Sequence, residues 1–413
     1  RPQRFQRCLP SASESGRFRV NLASANEDGV TQWRRISIGG GAAMFVGIAM
    51  GRFSYTTMLP PLIQSEQLSE LEAGYVGGLN LAAFFLGAFY AERLRNTFSI
   101  RRVLTAAVWL GLLALAASAL PFGFYWLAAW RALLGAIAGL IMVQSIAFST
   151  AAAPADKRPV AAGYVYAGVG LGVFLSGLFA PWMLQHGIVW AWSGFALAGL
   201  FAVLVAQWGW AVADILPKSD NKTPQSLPTH WPWRGLVAAN FLFSFGIVPH
   251  TIYWVDFLVR DVGLGMEAAG WHWSVVGLSA FLGPLVTAAI AGRIGISPTL
   301  LIFFTLLGFG VIGPAFLAVA PVLWFSSVFY GGQPGLASIM AARAREMGFA
   351  ADMPRMMRVT ILANACGAAV GGLAFPYLFE VSGYGNLFLL GGAAMFLGAI
   401  VTLPRRVPRG EPH

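Results

Sequence analysis

The sequence predicts an all-α integral membrane protein whose twelve transmembrane helices form two pseudo-symmetric six-helix bundles. Three observations support this fold class: a composition poor in charge, twelve long apolar runs, and a repeat that relates the two halves of the chain. Of the 413 residues, 57% are hydrophobic and 11% are charged, whereas soluble domains carry about 25% charged residues. Most of the protein surface must therefore face lipid.

The apolar runs are long enough to cross a bilayer, which takes a helix of about 20 mostly apolar residues. The predicted spans cover residues 37–62, 71–91, 102–120, 122–150, 160–183, 188–213, 235–257, 268–291, 298–318, 320–341, 358–379 and 384–403. Within the first span the only formal charge is Arg52. The runs account for most of the chain and leave only short connections.

A polar stretch at 214–232 divides the spans six and six. The sequence therefore predicts five units, which are a disordered N-terminal tail (1–32), a six-helix bundle (33–213), a cytoplasmic linker (214–234), a second six-helix bundle (235–404) and a cytoplasmic tail (405–413). The first unit lacks the apolar segment of a cleavable signal peptide, so none is expected.

The charges between the spans indicate the direction of each helix. Outside the N-terminal tail and the spans, almost all lysines and arginines fall in alternate gaps, while the gaps between those hold acids such as Glu70 or no charge. Positive charge marks the cytoplasmic side of membrane proteins. We therefore expect both termini in the cytoplasm, and the same pattern argues against a nucleic-acid partner.

The second half of the chain repeats the first at an offset of about 195 residues. The segment GVGLGVFLSGLFAP at 168–181 aligns with ANACGAAVGGLAFP at 363–376, and Gly51 aligns with Gly246. Six-span repeats related by an axis along the membrane normal are typical of transporters whose halves rock around a central site. Small residues also let membrane helices pack closely, so a purely structural role for these glycines stays open.

Several motifs resemble those of the major facilitator superfamily. RALLGAIAG at 131–139 resembles its fourth-helix motif, LGAFYAERLRNTFSIRR at 86–102 its gating motif between helices 2 and 3, and GVGLGVFLSG at 168–177 its fifth-helix motif. VTAAIAGRIG at 286–295 is similar to a second copy of the gating motif. GRFSYTTMLPP at 51–61 resembles the first-helix signature of the YbfB/YjiJ-like branch.

The resemblance implies the major facilitator fold and a secondary active transporter of the bacterial inner membrane. Its two bundles would rock to expose one midplane site to each side of the membrane in turn. It implies that spans 1, 4, 7 and 10 surround this site. It also implies that Glu92, Arg93 and Arg293 help to hold the cytoplasmic ends of the bundles together.

Two arginines, Arg52 and Arg131, lie inside predicted spans, and no Asp or Glu lies in the middle of any predicted span. An arginine at mid-bilayer costs about 2.5–3.5 kcal/mol on insertion scales, so each must face a cavity or a partner. Uncompensated positive charge favours a carboxylate or phosphate of the substrate. The alternative for each arginine is a structural contact to backbone carbonyls or neighbouring helices.

Two residues of the seventh span are candidates for proton coupling. His250 follows Pro249, and histidine titrates near neutral pH. Asp256 lies near the outer end of the span, within reach of Arg260. A buried structural role is the alternative for the histidine. Further candidates for substrate binding are polar side chains of spans 1, 7, 10 and 11, namely Tyr55, Tyr253, Gln333 and Asn364.

The sequence contains no enzyme motif that we recognise. GxxxxGK[ST], GxSxG and HExxH patterns are absent, and two cysteines without a Cys/His cluster predict neither a metal site nor a cofactor. We expect a monomer that contacts lipid, a small-molecule substrate and protons. The sequence does not decide between uptake and efflux, or between symport and antiport. A drug or lipid efflux transporter and a membrane sensor that binds without transporting are the alternatives.

Overall fold

The structure, a computed structural model, describes residues 32–211, 231–347 and 353–403. In these ranges every regular element is a helix. Most of the predicted N-terminal tail, most of the predicted linker and the predicted C-terminal tail lie outside the described residues. We refer to 32–211 as the N-terminal half and to 231–403 as the C-terminal half.

The N-terminal half consists of six long helices. Their bounds are Gln32–Gln64 (α1), Glu70–Thr97 (α2), Ile100–Ala117 (α3), Gly123–Ala152 (α4), Arg158–Leu184 (α5) and Ile188–Trp210 (α6). The start of α2 is set by a capping box in which Ser69 and Glu72 bond to each other's backbone. This cap satisfies backbone N–H groups that the first helical turn leaves unpaired.

The C-terminal half has more interruptions. Its helices are Trp233–Asp261 (α7), Met266–Ile294 (α8), Ile296–Ile312 (α9), Ala320–Gly331 (α10), Gln333–Met347 (α11) and Met353–Thr402 (α12). Gly295 joins α8 to α9 at φ 89°, and α12 turns sharply at Gly383, whose φ is 68°. Glycine adopts such left-handed conformations without steric cost, which explains why the chain turns at these two positions.

Ten stretches of the described residues are long and apolar enough to cross a membrane. One of them, within α12, is 48 residues long and contains the turn at Gly383. The pair α10 and α11 is broken between Gly331 and Gln333 and does not count as one long helix. The all-helical membrane fold is therefore confirmed, while the number of twelve spans stays a prediction.

Large apolar side chains cover the outside of the helices. Residues with about half or more of their surface exposed include Leu113, Phe201, Leu285, Tyr377 and Ile400. A soluble monomer rarely exposes apolar area on this scale. The outer surface is suited to lipid chains, as the composition predicts.

The first helix contains a π-helical segment at the predicted binding site. Residues Phe45–Phe53 of α1 are π-helical, and the α-helix resumes at Ser54. A π-helical segment changes the direction in which the following side chains point, and such segments are common at functional sites. Here it ends one residue beyond Arg52, which lies in the middle of the protein rather than at a helix end.

The two halves meet along two matching interfaces. A Cβ at Gly78 of α2 would overlap the backbone of Gly372 in α12, and a Cβ at Gly277 of α8 would overlap the backbone of Phe174 in α5. Between them, Thr56 Oγ1 of α1 donates to the carbonyl of Thr251 in α7, one repeat of 195 residues away. These contacts lie toward the end of the protein that carries Glu70, which we call the Glu70 end; the opposite end is the Glu92 end.

Candidate functional site

The predicted arginines line one small central cavity. Its walls come from α1, α2, α4 and α7 and consist of Arg52, Tyr55, Gly77, Asn80, Leu81, Arg131, Thr251 and Ile252. The cavity volume is about 10 Å³, which is room for about one water molecule. A solute can therefore bind here only after the two halves have moved apart.

Arg131 lies in the interior, in contact with two aromatic rings. Its side chain is fully buried, and its Nη2 donates to the carbonyl of Arg52 at 3.3 Å. Its guanidinium carbon lies 4.9 Å from the ring centre of Tyr55 and 5.4 Å from that of Trp192. Aromatic faces attract cations, so these rings hold the charge in place without neutralising it. Nε and Nη1 have no hydrogen-bond partner among the described residues.

Arg52 presents a second charge to the same cavity. Its guanidinium carbon lies 4.3 Å from the ring centre of Phe84, and its Nε and Nη2 are buried without a hydrogen-bond partner in the described chain. Buried N–H groups of this kind are costly unless something accepts their hydrogen bonds. Together with Arg131 it makes a site rich in donors, and none of the residues that line the cavity carries a carboxylate.

The structure separates the other predicted binding residues. Tyr55 lines the cavity, and its hydroxyl donates to the carbonyl of Ala73 at 2.7 Å. Tyr253 is fully buried next to Phe379, with ring centres 4.9 Å apart, and does not line the cavity. Gln333 and Asn364 are half-buried and also lie outside the cavity wall. A role for these three in binding stays a prediction.

Asp256 is the centre of a polar cluster at the Glu70 end. The side chain is fully buried, and Oδ2 accepts from Tyr384 Oη at 2.6 Å and from Arg260 Nη1 at 3.3 Å. Oδ1 is buried and has no partner among the described residues. Arg260 also bonds to Glu70 of the N-terminal half through Nη2. One arginine therefore links a buried acid of α7 to an acid of the other half.

His250 lies inside the C-terminal half rather than on the cavity wall. Its Nε2 is 2.7 Å from Ser326 Oγ, and its Nδ1 is buried without a partner in the described residues. The imidazole stacks on Trp254 with ring centres 4.5 Å apart. This dry and aromatic setting is compatible with a structural residue as well as with a proton carrier, so the proton-coupling role stays a prediction.

At the Glu92 end, an ion pair joins the two halves. Glu92 Oε2 of α2 lies 2.7 Å from Arg358 Nη1 of α12. The side chains of Arg93 and Arg293 are exposed and form no ion pair among the described residues. Of the three residues with a predicted gating role, only Glu92 thus contacts the opposite half through a salt bridge within the described ranges.

We expect Glu92→Gln to loosen the Glu92 end while leaving the melting temperature almost unchanged. Both partners are substantially exposed, and exposed ion pairs contribute about 0–1 kcal/mol to stability. The measurement is amide hydrogen exchange of peptides covering residues 88–97 and 355–364, which should exchange faster in the variant. The matched control is Glu346→Gln, which removes a pair with Arg343 inside one helix. Equal exchange in all three proteins would show that the Glu92–Arg358 pair does not keep the Glu92 end closed.

Sequence reasoning missed several partners in these clusters. Arg358 stands among other bases in the sequence, and Glu70 and Tyr384 are remote from Asp256 along the chain. Their positions follow from helix packing, and no local motif marks them. Asn80 was identifiable as a polar residue in an apolar run, but its orientation depends on its neighbours.

In the described residues no three His, Cys, Asp or Glu side chains are grouped so as to hold a metal ion.

Comparison with known proteins agrees with the fold. The family described as "Uncharacterised MFS-type transporter YbfB" matches residues 44–403. A Haemophilus influenzae protein described as "Putative metabolite transport protein" is 24% identical over 268 residues, which cover 60% of this chain and 64% of that protein. The chain thus matches just under two thirds of the length of this relative.

Two solved structures share the fold. A mutant of the nucleoside transporter NupG has a TM-score of 0.68 at 13% identity, covering 89% of this chain and 99% of that one. A POT family transporter in complex with 5-aminolevulinic acid has a TM-score of 0.66 at 16% identity, covering 88% and 95%. The chain therefore belongs to the major facilitator superfamily, in the family described as "Uncharacterised MFS-type transporter YbfB".

Proposed function

We propose that this protein is a secondary active transporter that moves a small anionic organic solute by alternating access, coupled to protons. The observation that carries the proposal is the pair Arg52 and Arg131. Both present buried N–H groups without partners among the described residues, and no carboxylate lines their cavity. A carboxylate or phosphate of the substrate would satisfy these donors and compensate the charge.

Alternating access has a physical basis in the contacts between the halves. The Glu70 end is joined by glycine-rich interfaces and by the Arg260–Glu70 pair, and the Glu92 end by the Glu92–Arg358 pair. Ion pairs and small-residue contacts can break and re-form as helices separate. The bulk of each half stays packed while the site opens to one side at a time.

The proposed setting is a bacterial inner membrane with both termini in the cytoplasm. The Glu92 end would then face the cytoplasm, because the bases between the spans lie there. We propose a monomer of two bundles with the boundaries given above, no cofactor and no catalytic activity. The direction of transport depends on how protons are coupled to the solute and on the gradients of both. We test the proton coupling below.

The proposal predicts that Arg52→Ala strongly reduces stabilisation by anions. Ligands that bind the folded state raise its melting temperature. We would measure the purified protein against small carboxylates, phosphates, sugars and cationic drugs. The anion that stabilises the wild type should bind the variant about 30-fold more weakly or worse, since removing one partner of a buried charge pair costs about 2 kcal/mol or more.

The control for this experiment is Arg102→Ala, an exposed base at the start of α3, which should bind like the wild type. Stabilisation by cationic or neutral compounds that is equal in all three proteins would contradict the proposal. It would make Arg52 a structural residue and favour drug or lipid efflux. Binding without any transport in proteoliposomes would instead favour a membrane sensor.

A further inference from the structure

Asn80 lines the central cavity and has an unused hydrogen-bond acceptor. It lies on α2, is 1% exposed and lines the cavity together with Arg52 and Arg131. Its backbone packs so closely on α4 that a Cβ at Gly135 would overlap its carbonyl. The side chain is therefore anchored at a fixed place in the cavity wall.

The contacts of Asn80 determine which way its amide faces. Nδ2 lies 2.8 Å from the carbonyl oxygen of Arg131 and 3.1 Å from that of Gly51. Carbonyl oxygens only accept hydrogen bonds, so the NH₂ group must face both of them, and both of its hydrogens are used. In a flipped amide, Oδ1 would lie next to both carbonyl oxygens, and three acceptors would repel one another. Oδ1 therefore faces away from these carbonyls, and it is buried without a partner among the described residues.

The other polar groups of the cavity wall already have partners. The Tyr55 hydroxyl donates to the carbonyl of Ala73, and Thr251 Oγ1 donates to that of Ile247 at 2.9 Å. Among the residues that the structure describes, the side-chain polar atoms of the wall that lack any partner are guanidinium nitrogens and Asn80 Oδ1. A ligand that satisfies this wall must accept from the arginines and donate to Asn80.

A simple carboxylate meets only half of this requirement. It accepts from the guanidinium groups but leaves Oδ1 buried and unpaired, which is unfavourable. An ammonium group could donate to Oδ1, but it would lie near two arginines with no lining carboxylate to offset the repulsion. A hydroxyl group next to the carboxylate donates to Oδ1 without adding positive charge.

We propose that the transported anion is a hydroxy carboxylate and that Asn80 is the residue that selects for its hydroxyl group. This inference rests on the proposed anion transport and narrows its substrate class. The arginines bind the carboxylate, and Asn80 Oδ1 accepts from the hydroxyl. Because Asn80 is tied to the backbone of both α1 and α4, its oxygen is already in position before the ligand arrives.

The test compares acids that differ only in the donor group. We would measure binding of lactate, propionate and alanine, and of malate and succinate, to the purified full chain by thermal stabilisation. The hydroxy acid of each pair should bind about tenfold more tightly or better, because its analogue leaves a buried acceptor unpaired. Alanine should bind no better than propionate.

Two variants locate the effect. Asn80→Ala should lower the preference for lactate over propionate to near one, while Asn240→Ala should preserve it. Asn240 is also a buried asparagine, but its Nδ2 bonds to Leu236 within the same helix, and it does not line the cavity. If Asn80→Ala does not fold, the comparison of acids on the wild type still decides the substrate class.

The outcomes separate this inference from the proposed function. If the hydroxy acids and their analogues bind equally and binding depends on Arg52, the anion site stands and the role of Asn80 is overturned. If alanine binds most tightly, the required donor is an ammonium group and the hydroxy-acid class is wrong. If none of these acids binds but another carboxylate or a phosphate does, the hydroxy-acid class is wrong and the anion site stands. If no anion binds, the anion site fails and this inference fails with it.

Discussion

Replacing Gly277 with leucine should force the two halves apart at the Glu70 end. Even a Cβ at this position of α8 would overlap the backbone nitrogen of Phe174 in α5 and lie 2.8 Å from the carbonyl oxygen of Gly170. Backbone atoms in packed helices cannot move aside as a flexible side chain can, so a larger residue must displace a whole helix. Because α5 and α8 belong to different halves, the strain is relieved when the halves separate.

The measurement is alkylation of a cysteine introduced at Thr56, in a chain whose Cys8 and Cys366 are replaced by serine. Thr56 is 1% exposed and bonds across the interface to Thr251. We expect at least about tenfold faster alkylation with Gly277→Leu, which corresponds to a bias of about 1.4 kcal/mol toward the open state. Slower or unchanged alkylation would show that this interface does not close the Glu70 end.

The matched control lies on the same helix. A Cβ at Gly292 would meet open space, since no atom of the described residues outside its own helical turn lies within 4 Å of that position. Gly292→Leu should therefore leave the alkylation rate unchanged. If it raises the rate as much as Gly277→Leu does, the effect comes from disturbing α8 in general and not from the contact with α5.

The second large effect is expected for Asp256→Asn, which should strongly reduce proton-driven accumulation and preserve exchange of labelled solute. The carboxylate is buried, its Oδ2 bonds to Arg260 and Tyr384, and Arg260 also bonds to Glu70 of the other half. Protonation would weaken the hold of Asp256 on Arg260, and so would link proton binding to the contact between the halves. Asparagine carries no charge at any pH, so the link is lost.

We would measure this in proteoliposomes, with the acid that most stabilises the wild type as the solute. The expected loss of proton-driven accumulation is about tenfold or more, comparable to removing a coupling free energy of about 1–3 kcal/mol. Asp261→Asn, at an exposed acid five positions further on, is the control and should behave as the wild type. The groups around Asp256 are unchanged in that control.

His250→Ala distinguishes the two predicted coupling residues. If accumulation is lost only in this variant, the proton is carried by the histidine bonded to Ser326 rather than by Asp256. If proton-driven accumulation survives both Asp256→Asn and His250→Ala, neither residue couples protons to transport. Loss in His250→Ala alone would show that Arg260 does not link proton binding to the contact between the halves. Survival in both variants would show that the seventh span does not couple protons to transport through either residue.

Much of the site could be predicted from the sequence because a charge in an apolar run is conspicuous. Arg52 and Arg131 were identifiable on this ground, and the structure brings them together with Tyr55 around one cavity. Gln333, Asn364 and Tyr253 are polar residues in apolar runs, and they do not line that cavity. Polarity indicates that a side chain needs a partner, but it does not indicate which partner satisfies it.

By itself the sequence determined that this chain is a helical membrane protein built on a repeat, because span length, charge alternation and an offset of 195 residues can be read along one dimension. Only the tertiary structure decided which polar atoms keep an unused hydrogen-bonding capacity at the centre. The sequence does not indicate which groups bond to Asn80. In the structure its amide hydrogens bond to two carbonyls of other helices, those of Gly51 and Arg131, and this leaves its side-chain oxygen without a partner among the described residues. Likewise Glu70 meets Arg260 only because helix packing brings together residues 190 positions apart. Such pairings depend on distances between helices, which no local pattern encodes.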